Sequence, residues 1–384
     1  MNIKAFHRLI TLSVLSVLTA CHAQTPSETQ SKENQPSSVV AVTSIQMKRI
    51  AEFNEPWALA VLADGRLLIT EKSGQLILFN PRDQKKTFIK NLPKVAYGGQ
   101  GGFGDIVLHP KFEQNHQMYL SYAEAGQGGY GAVVIRADLN LDQAQPQLDN
   151  ITTIWKQVPK VRGQGHYAHR VLFDGSGKLW ISSGERQKFD PAQDLTSNLG
   201  KIIRINDDGS VIVDNPFQSQ GEVAKQVWSF GHRNPLGMAF DEQGQLWVVE
   251  MGPKGGDELN LIQKGKNYGY PVVSNGDHYS GLNIPDHVTR PEFEAPKLDW
   301  TPVISPSSLI FYTGQMFPKW QGKAIIGGLS SEALIIVDTT AQPAKEIQRI
   351  DMKQRIRGLQ QAKDGSIWVI EDGKHADLIQ LGKP

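Results

Sequence analysis

His166 and Glu185 lie nineteen residues apart, at the two ends of the segment HYAHRVLFDGSGKLWISSGE. The segment reads as two strands joined by an Asp-Gly turn, so its ends fall at neighbouring strand ends. An imidazole held there by a carboxylate is the arrangement that orients a general base. The same histidine would serve equally well as a satisfied structural residue, and spacing alone does not choose. A second candidate is GGQGGFGDIVLHPKF (98–112), where glycines on both sides of Gln100 let the backbone approach a ligand closely. One amide is then left to donate and accept. An ordinary turn between sheet units would use the same glycines.

Three further clusters carry charge or hard oxygen donors. In VWSFGHRNPLGMAF (227–240), Arg233 and Asn234 sit in a turn stiffened by Pro235. The planar guanidinium fork suits carboxylates or quinone oxygens. In EMGPKGGDELNLIQKGKNYGYP (250–271), Gly252 and Pro253 offer backbone carbonyls in a tight bend, with Asp257 and Glu258 following. Hard oxygen ligands of this kind suit Ca²⁺, and a solvated connecting loop is the plain alternative. In QRIRGL (354–359), Arg355 and Arg357 stand at strand spacing, so both side chains are expected on one face. Two guanidiniums held together repel unless an anion lies between them.

Elements that could position these groups recur along the chain. An Asp-Gly or Gln-Gly turn followed by a β-branched or aromatic run appears six times, at 63–79, 115–139, 174–187, 241–262, 320–338 and 363–381. No amphipathic helical run of useful length interrupts them. Six sheet units at this spacing predict an all-β chain folded as a six-bladed β-propeller. Trp180, Trp247 and Trp368 each follow a turn and are expected between blades. The stretch 47–53 (MKRIAEF) is expected to pair with the last blade and close the ring. The long insertions 186–232 and 263–300 lie between strands, where propellers build their sites.

Composition narrows the partners. The 384 residues carry 40 Lys+Arg against 39 Asp+Glu, a formal charge of +1, with no basic run to bind nucleic acid. One cysteine excludes an intrachain disulfide framework and any CxxC site. That cysteine, Cys21, ends the stretch LTAC after a short basic segment and the apolar run Leu9 to Ala20. Residues 1–20 therefore read as a signal peptide ending in a pattern that resembles a bacterial lipobox, with Cys21 lipidated in the cell envelope and facing the periplasm. Cleavage after Ala23 would instead leave a soluble periplasmic protein. Residues 21–44 are too polar to bury and are expected to form a disordered tether. The folded domain is expected over 45–384, and the membrane is met only through the lipid.

GHRNPLG, EMGPKGGDELN, KGKNYGYP, WTPVISPSSLIFYTG and RIRGL, in this order, resemble the pyrroloquinoline-quinone-dependent aldose sugar dehydrogenases of the glucose/sorbosone dehydrogenase family. The resemblance runs from about residue 45 to the C-terminus and implies a six-bladed propeller that oxidises the C1 hydroxyl of aldoses to the lactone. It implies His166 as the base, Glu185 as the acid supporting it, and hydride transfer to the quinone, with a separate electron acceptor downstream. Gln100, Arg233, Asn234, Tyr279, Arg355 and Arg357 match cofactor-contacting positions, and the Gly252 and Pro253 carbonyls match those that hold Ca²⁺. Glu258 and the Tyr268 carbonyl match a second calcium site, to which Asp277 is a looser addition.

One departure stands out. Ser330 occupies a cofactor-contacting position where a lysine is expected, a loss worth ~1 kcal/mol or more beside a trianionic ligand. Arg186 and Lys188 in the loop 183–195 could compensate. Two other readings share the scaffold: a calcium-dependent lactonase or other hydrolase with carboxylates converging on an axial ion, and a binding propeller without turnover.

Overall fold

The computed structural model describes residues 45–143 and 145–383, which leaves Cys21, the expected signal peptide and the tether outside the described residues. Strand β1 (Gln46–Phe53) comes first. The first blade then holds β2 (Pro56–Val61), β3 (Leu67–Glu71), β4 (Gln75–Asn80) and β5 (Lys85–Phe88). The second holds β6 (Phe103–Leu108), a single helical turn α1 (Phe112–Asn115), β7 (Gln117–Gly126), β8 (Gly129–Asn140) and β9 (Gln147–Lys156). In the third are β10 (Ala168–Phe173), β11 (Leu179–Ser183), β12 (Lys201–Ile205) and β13 (Val227–Phe230).

The fourth blade is β14 (Pro235–Phe240), β15 (Leu246–Glu250), β16 (Asp257–Leu261) and β17 (Leu298–Trp300). The fifth is β18 (Pro306–Phe311), β19 (Ala324–Gly328), β20 (Ala333–Asp338) and β21 (Lys345–Asp351). The sixth takes β22 (Ile356–Gln361), β23 (Ile367–Glu371) and β24 (Ala376–Gly382), with β1 as its fourth strand. Pairing of β1 with β24 runs antiparallel from Gln46 opposite Gly382 to Phe53 opposite Ala376. The ring is thus closed by the stretch expected to do so, which removes an exposed edge.

Local chemistry explains the repeat. In the third blade, Asp174 accepts from the Ser176 and Lys178 amides at 2.9 Å, and Gly177 supplies φ +79°. The other oxygen of Asp174 takes the Trp180 indole N–H at 2.9 Å. Asp241 and Trp247 repeat this at 2.8 Å in the fourth blade. One aspartate therefore closes the turn and satisfies a tryptophan that fills the space toward the next blade. Trp180, Trp247 and Trp368 are each 5% exposed and pack with residues of the following blade. Every residue of β3, β11, β15 and β23 is buried, whereas the outer strands β5 and β21 are largely exposed. The core therefore lies between blades rather than within one.

All six innermost strands break register near their start: between Pro56 and Ala58, Phe103 and Ile106, Ala168 and Val171, Pro235 and Gly237, Pro306 and Ser308, and Ile356 and Gly358. A bulge re-aims the residue it skips. Here the skipped residues meet on the axis. Arg170 donates to Asp105 at 3.1 Å, to the Leu236 carbonyl at 2.6 Å and to the Ser307 carbonyl at 2.5 Å. It also reaches the Arg357 carbonyl at 3.3 Å and stacks 4.0 Å from the Trp57 ring. Each partner is a bulge residue of another blade, so one guanidinium of the third blade touches the other five.

Candidate active site

Because neighbouring strands are antiparallel, the start of each innermost strand and the end of the next strand lie at one rim of the ring. Gln100, His166, Asn234 and Arg355 precede innermost strands. Lys72, Glu185, Gly252, Ser330 and Asp372 follow second strands. The layer of bulges forms the floor. Above it is a cavity of about 370 Å³ lined by Gln100, Asn234, Arg355 and Arg357 together with Trp57, Lys72, His169, Leu236 and Asp372. That volume suits a small cofactor. A separate cavity of about 410 Å³ lies on the other side, bounded by Asp105, Arg170 and the inner strands.

The predicted pair is formed. His166 Nδ1 hydrogen-bonds to Glu185 Oε1, and Glu185 Oε2 accepts from the amides of Lys188 at 2.5 Å and Phe189 at 2.8 Å. Glu185 is wholly buried and His166 is 6% exposed. Burial pushes the Glu185 carboxyl up, but the His166 bond and the two amides outweigh it and hold the group below its usual range. For His166, burial pushes the imidazole down and Arg233 adds to this, against the pull of Glu185. The ring is therefore held neutral, with Nε2 as the nitrogen left to take a proton. Gly184 is required here, since a Cβ would sit 2.1 Å from the His166 carbonyl.

Neighbouring groups hold this geometry. The His166 amide donates to Gln100 Oε1 at 2.8 Å, which fixes the Gln100 side chain at the cavity wall. Arg233 donates its amide to Glu250 Oε2 at 2.7 Å and Nη1 to the Met251 carbonyl at 3.0 Å. Glu250 also binds His232 Nδ1 at 2.9 Å. Arg233 Nε and Asn234 Oδ1 are buried and have no hydrogen-bond partner among the described residues. Asn234 lines the cavity and Arg233 precedes it in the chain, and unpaired buried polar atoms are costly unless a ligand takes them. Together with the cationic lining, they fit a polyanionic quinone.

Arg355 and Arg357 converge as expected, but the fold supplies its own anion. Asp372 Oδ2 accepts from Arg355 Nε at 2.8 Å, and Oδ1 accepts from Arg357 Nε at 2.8 Å and Nη2 at 2.7 Å. Only Arg357 owes its direction to a strand, and it is the bulge residue. Arg186 is corrected as a compensating cation. It is 1% exposed and donates to the carbonyls of Gly165, Gly163 and Tyr130, over the Tyr167 ring. It braces the loop before His166 instead. Ser330 lies outside the cavity lining and bonds Ser305 Oγ at 2.8 Å. Tyr279 is 74% exposed, its ring 5.9 Å from the Arg233 guanidinium, at the rim rather than the wall.

The expected metal positions differ in character. At Gly252 a Cβ would fall 2.2 to 2.3 Å from the Gly256 and Gly255 carbonyls, so only glycine fits a bend this dense in oxygen. Asp257 ties it down, accepting from Gly252 at 2.9 Å, Ile304 at 2.8 Å and Ser305 at 2.6 Å. Burial raises its pKa to about 6 against those bonds. Backbone oxygens with a carboxylate behind them fit a hard cation. Glu258 is buried beside Glu250, bridged by the Asn260 amide at 3.0 and 3.1 Å, while Asn260 Oδ1 has no partner among the described residues. That donor set also fits a cation. Tyr268 stacks on His232 with ring centroids 4.6 Å apart, and Asp277 Oδ1 accepts from the Ile284 amide at 3.2 Å, closing its own loop. The axial position that a lactonase would give to an ion is filled by the Arg170 guanidinium.

Sequence reasoning missed Lys72, Asp105, Arg170 as a hub, Glu250 and Asp372. Asp372 stands one residue past the second strand of the last blade and Glu185 two residues past that of the third, and an acid just beyond the strand in both repeats was the available signal.

A family model described as glucose/sorbosone dehydrogenase matches residues 53–380. The aldose sugar dehydrogenase YliI of Escherichia coli K12 is 36% identical over 338 residues, covering 86% of this chain and 90% of that protein. The crystal structure of the soluble E. coli aldose sugar dehydrogenase in its apo form superposes with TM-score 0.83 at 35% identity, covering 89% of this chain and all of that one. The PQQ-bound aldose sugar dehydrogenase of Streptomyces coelicolor superposes with TM-score 0.73 at 25% identity, over 89% and 99% of the two chains.

Proposed function

This chain belongs to the glucose/sorbosone dehydrogenase family and is a sugar-oxidising enzyme, and from that premise we propose its reaction in detail. The substrate is an aldose whose C1 hydroxyl is oxidised to the lactone. Pyrroloquinoline quinone, when bound, would supply a two-electron acceptor for the C1 hydride, and the Gly252 and Pro253 carbonyls would hold a Ca²⁺ that supplies Lewis acidity. His166 Nε2 takes the hydroxyl proton as the C1–O double bond forms. Glu185 holds Nδ1, fixes the tautomer and stabilises the imidazolium. Gln100, Asn234, Arg233, Arg355 and Arg357 would orient the cofactor's oxygens, with Tyr279 at the rim of the site. Glu258 and the Tyr268 carbonyl would hold a second, structural calcium.

The observation that carries this reading is the buried Glu185–His166 pair, whose histidine donates its amide to the cavity-lining Gln100 and keeps one ring nitrogen able to accept a proton. The test is dye reduction by the protein loaded with quinone and Ca²⁺ against a panel of aldoses. Loss of turnover in His166→Ala with cofactor binding retained supports it. Full activity in that variant, or none with any sugar in the parent, overturns it. The lipobox-like sequence supports a lipid anchor at Cys21, and a Cys21→Ala chain that still fractionates with membranes would overturn that assignment.

A further inference from the structure

We infer that Lys72, on the first blade, is a cofactor-binding cation of this enzyme and that Glu55 competes with the ligand for it. The inference rests on the quinone-dependent reading above. Lys72 lines the same cavity as Arg355 and Arg357. Its position is built, not incidental. The Lys72 amide donates to the Glu55 carbonyl at 3.0 Å, and its own carbonyl accepts from Phe103 at 3.0 Å. Gly102 packs so closely that a Cβ there would sit 2.4 Å from the Lys72 carbonyl oxygen. A lysine with its backbone clamped on both sides loses less freedom on binding than a surface lysine.

Its ammonium is under-used. Among the described residues Nζ makes one hydrogen bond, to the Gly99 carbonyl at 3.2 Å, and an ion pair of 3.5 Å to Glu55 Oε1. The Lys72 and Glu55 side chains are 17% and 18% exposed. The ammonium also stands 5.8 Å from the centre of the Tyr97 ring, and three donors with one good hydrogen-bond partner leave capacity for a ligand in the cavity that Lys72 lines. Gly99 immediately precedes Gln100, so Nζ sits beside the amide already placed at the wall. The ionised lining consists of Lys72, Arg355 and Arg357 against Glu55 and Asp372. That is three cations and two anions, thin cover for a tricarboxylate. Blade five adds none, because Ser330 is a hydroxyl turned to Ser305. The two anions differ in kind: Asp372 holds Arg357 through two short bonds, whereas Glu55 holds Lys72 at long range and competes with a ligand for it.

The test is quinone binding by the full chain with Ca²⁺ and no sugar, followed by absorbance or fluorescence quenching. Lys72→Met is expected to weaken binding about tenfold, and Lys72→Arg to restore most of it. Glu55→Gln is expected to tighten binding about threefold. A purely structural Glu55–Lys72 pair would make both Lys72→Met and Glu55→Gln weaken binding or leave it unchanged, and either pattern overturns the inference. Melting of each variant without cofactor separates loss of fold from loss of affinity, and binding is compared at a temperature where all are folded. A parent protein that binds no quinone overturns the functional reading as well. A parent that binds it, with Lys72→Met binding equally tightly, overturns only the role of Lys72.

Discussion

Arg357 grips Asp372 through two nitrogens, Nε at 2.8 Å and Nη2 at 2.7 Å to the same carboxylate oxygen. Arg355 takes the other oxygen, so the two arginines that crowd one rim are pre-paired by a single acid. Burial raises the Asp372 pKa, but Arg357 and Arg355 outweigh it and hold the carboxyl below its usual range.

Asp372→Ala should therefore cost ~1–3 kcal/mol in denaturant unfolding, because Arg357 loses its buried partner. It should also weaken quinone binding, since the guanidinium no longer has a fixed direction. The stability arising from this carboxylate is full above the unfolded value of about 4 and is lost as pH falls through the lower folded value. Unchanged unfolding and unchanged affinity in the variant would show that the pair positions nothing.

Glu185→Gln should lower kcat by roughly 10²–10⁴, the range for loss of general-base function, while quinone affinity stays within about threefold. The amide oxygen can still accept from His166 Nδ1–H, but the amide NH2 then faces the Lys188 and Phe189 N–H groups, so melting of the variant is measured beside kcat to separate lost fold from lost charge. Because burial and Arg233 hold His166 below the ordinary imidazole value, the acid limb of kcat/KM in the parent should fall below about pH 6.5. An acid limb above pH 7 would place the base elsewhere.

Arg170→Met should destabilise the ring by ~3–5 kcal/mol, since Asp105 is left buried without its cation. Burial already pushes the Asp105 carboxyl up despite Arg170. A second change, Asp105→Asn, should recover part of the loss, as measured by urea unfolding. Equal stability of the single variant and the parent would mean that the axial hub is ornamental.

His169 is buried and stacked on Trp57, with ring centroids 4.9 Å apart, and its Nδ1 lies 2.8 Å from Ser121 Oγ. Burial, with Arg170 adding to it, lowers its pKa to about 3. The unfolded imidazole takes a proton near 6.5, so between about pH 6.5 and 3 the unfolded chain binds more protons. Stability should fall as pH drops through that window. His169→Phe should flatten the slope in urea titrations at pH 6, 5 and 4, whatever its absolute stability. An unaltered slope would assign acid sensitivity to other groups.

The repeat was legible because its causes are local. Asp174, Gly177 and Trp180 lie within seven residues, and the turn, the strand and the indole partner all follow from that spacing. Six such phrases and a strand at 47–53 determined a closed six-bladed ring. The hairpin that joins His166 to Glu185 was legible for the same reason, while the contact between them rested on the family resemblance until the fold showed it. Arg186 was misread because its cationic type is visible in the sequence while its commitment to three carbonyls of the preceding loop is not.

What tertiary structure decided are contacts between blades far apart in the chain. Arg170 meets Ser307 and Arg357 across 137 and 187 residues. Lys72 reaches Gly99 only because the first two blades adjoin at the rim. The direction of each axial side chain depends on a one- or two-residue register break, and period-two patterning carries no record of such a break. The sequence determined which residue types reach the rim. Ring closure and bulge register decided which of them face one another, and so which charges were free to meet a ligand.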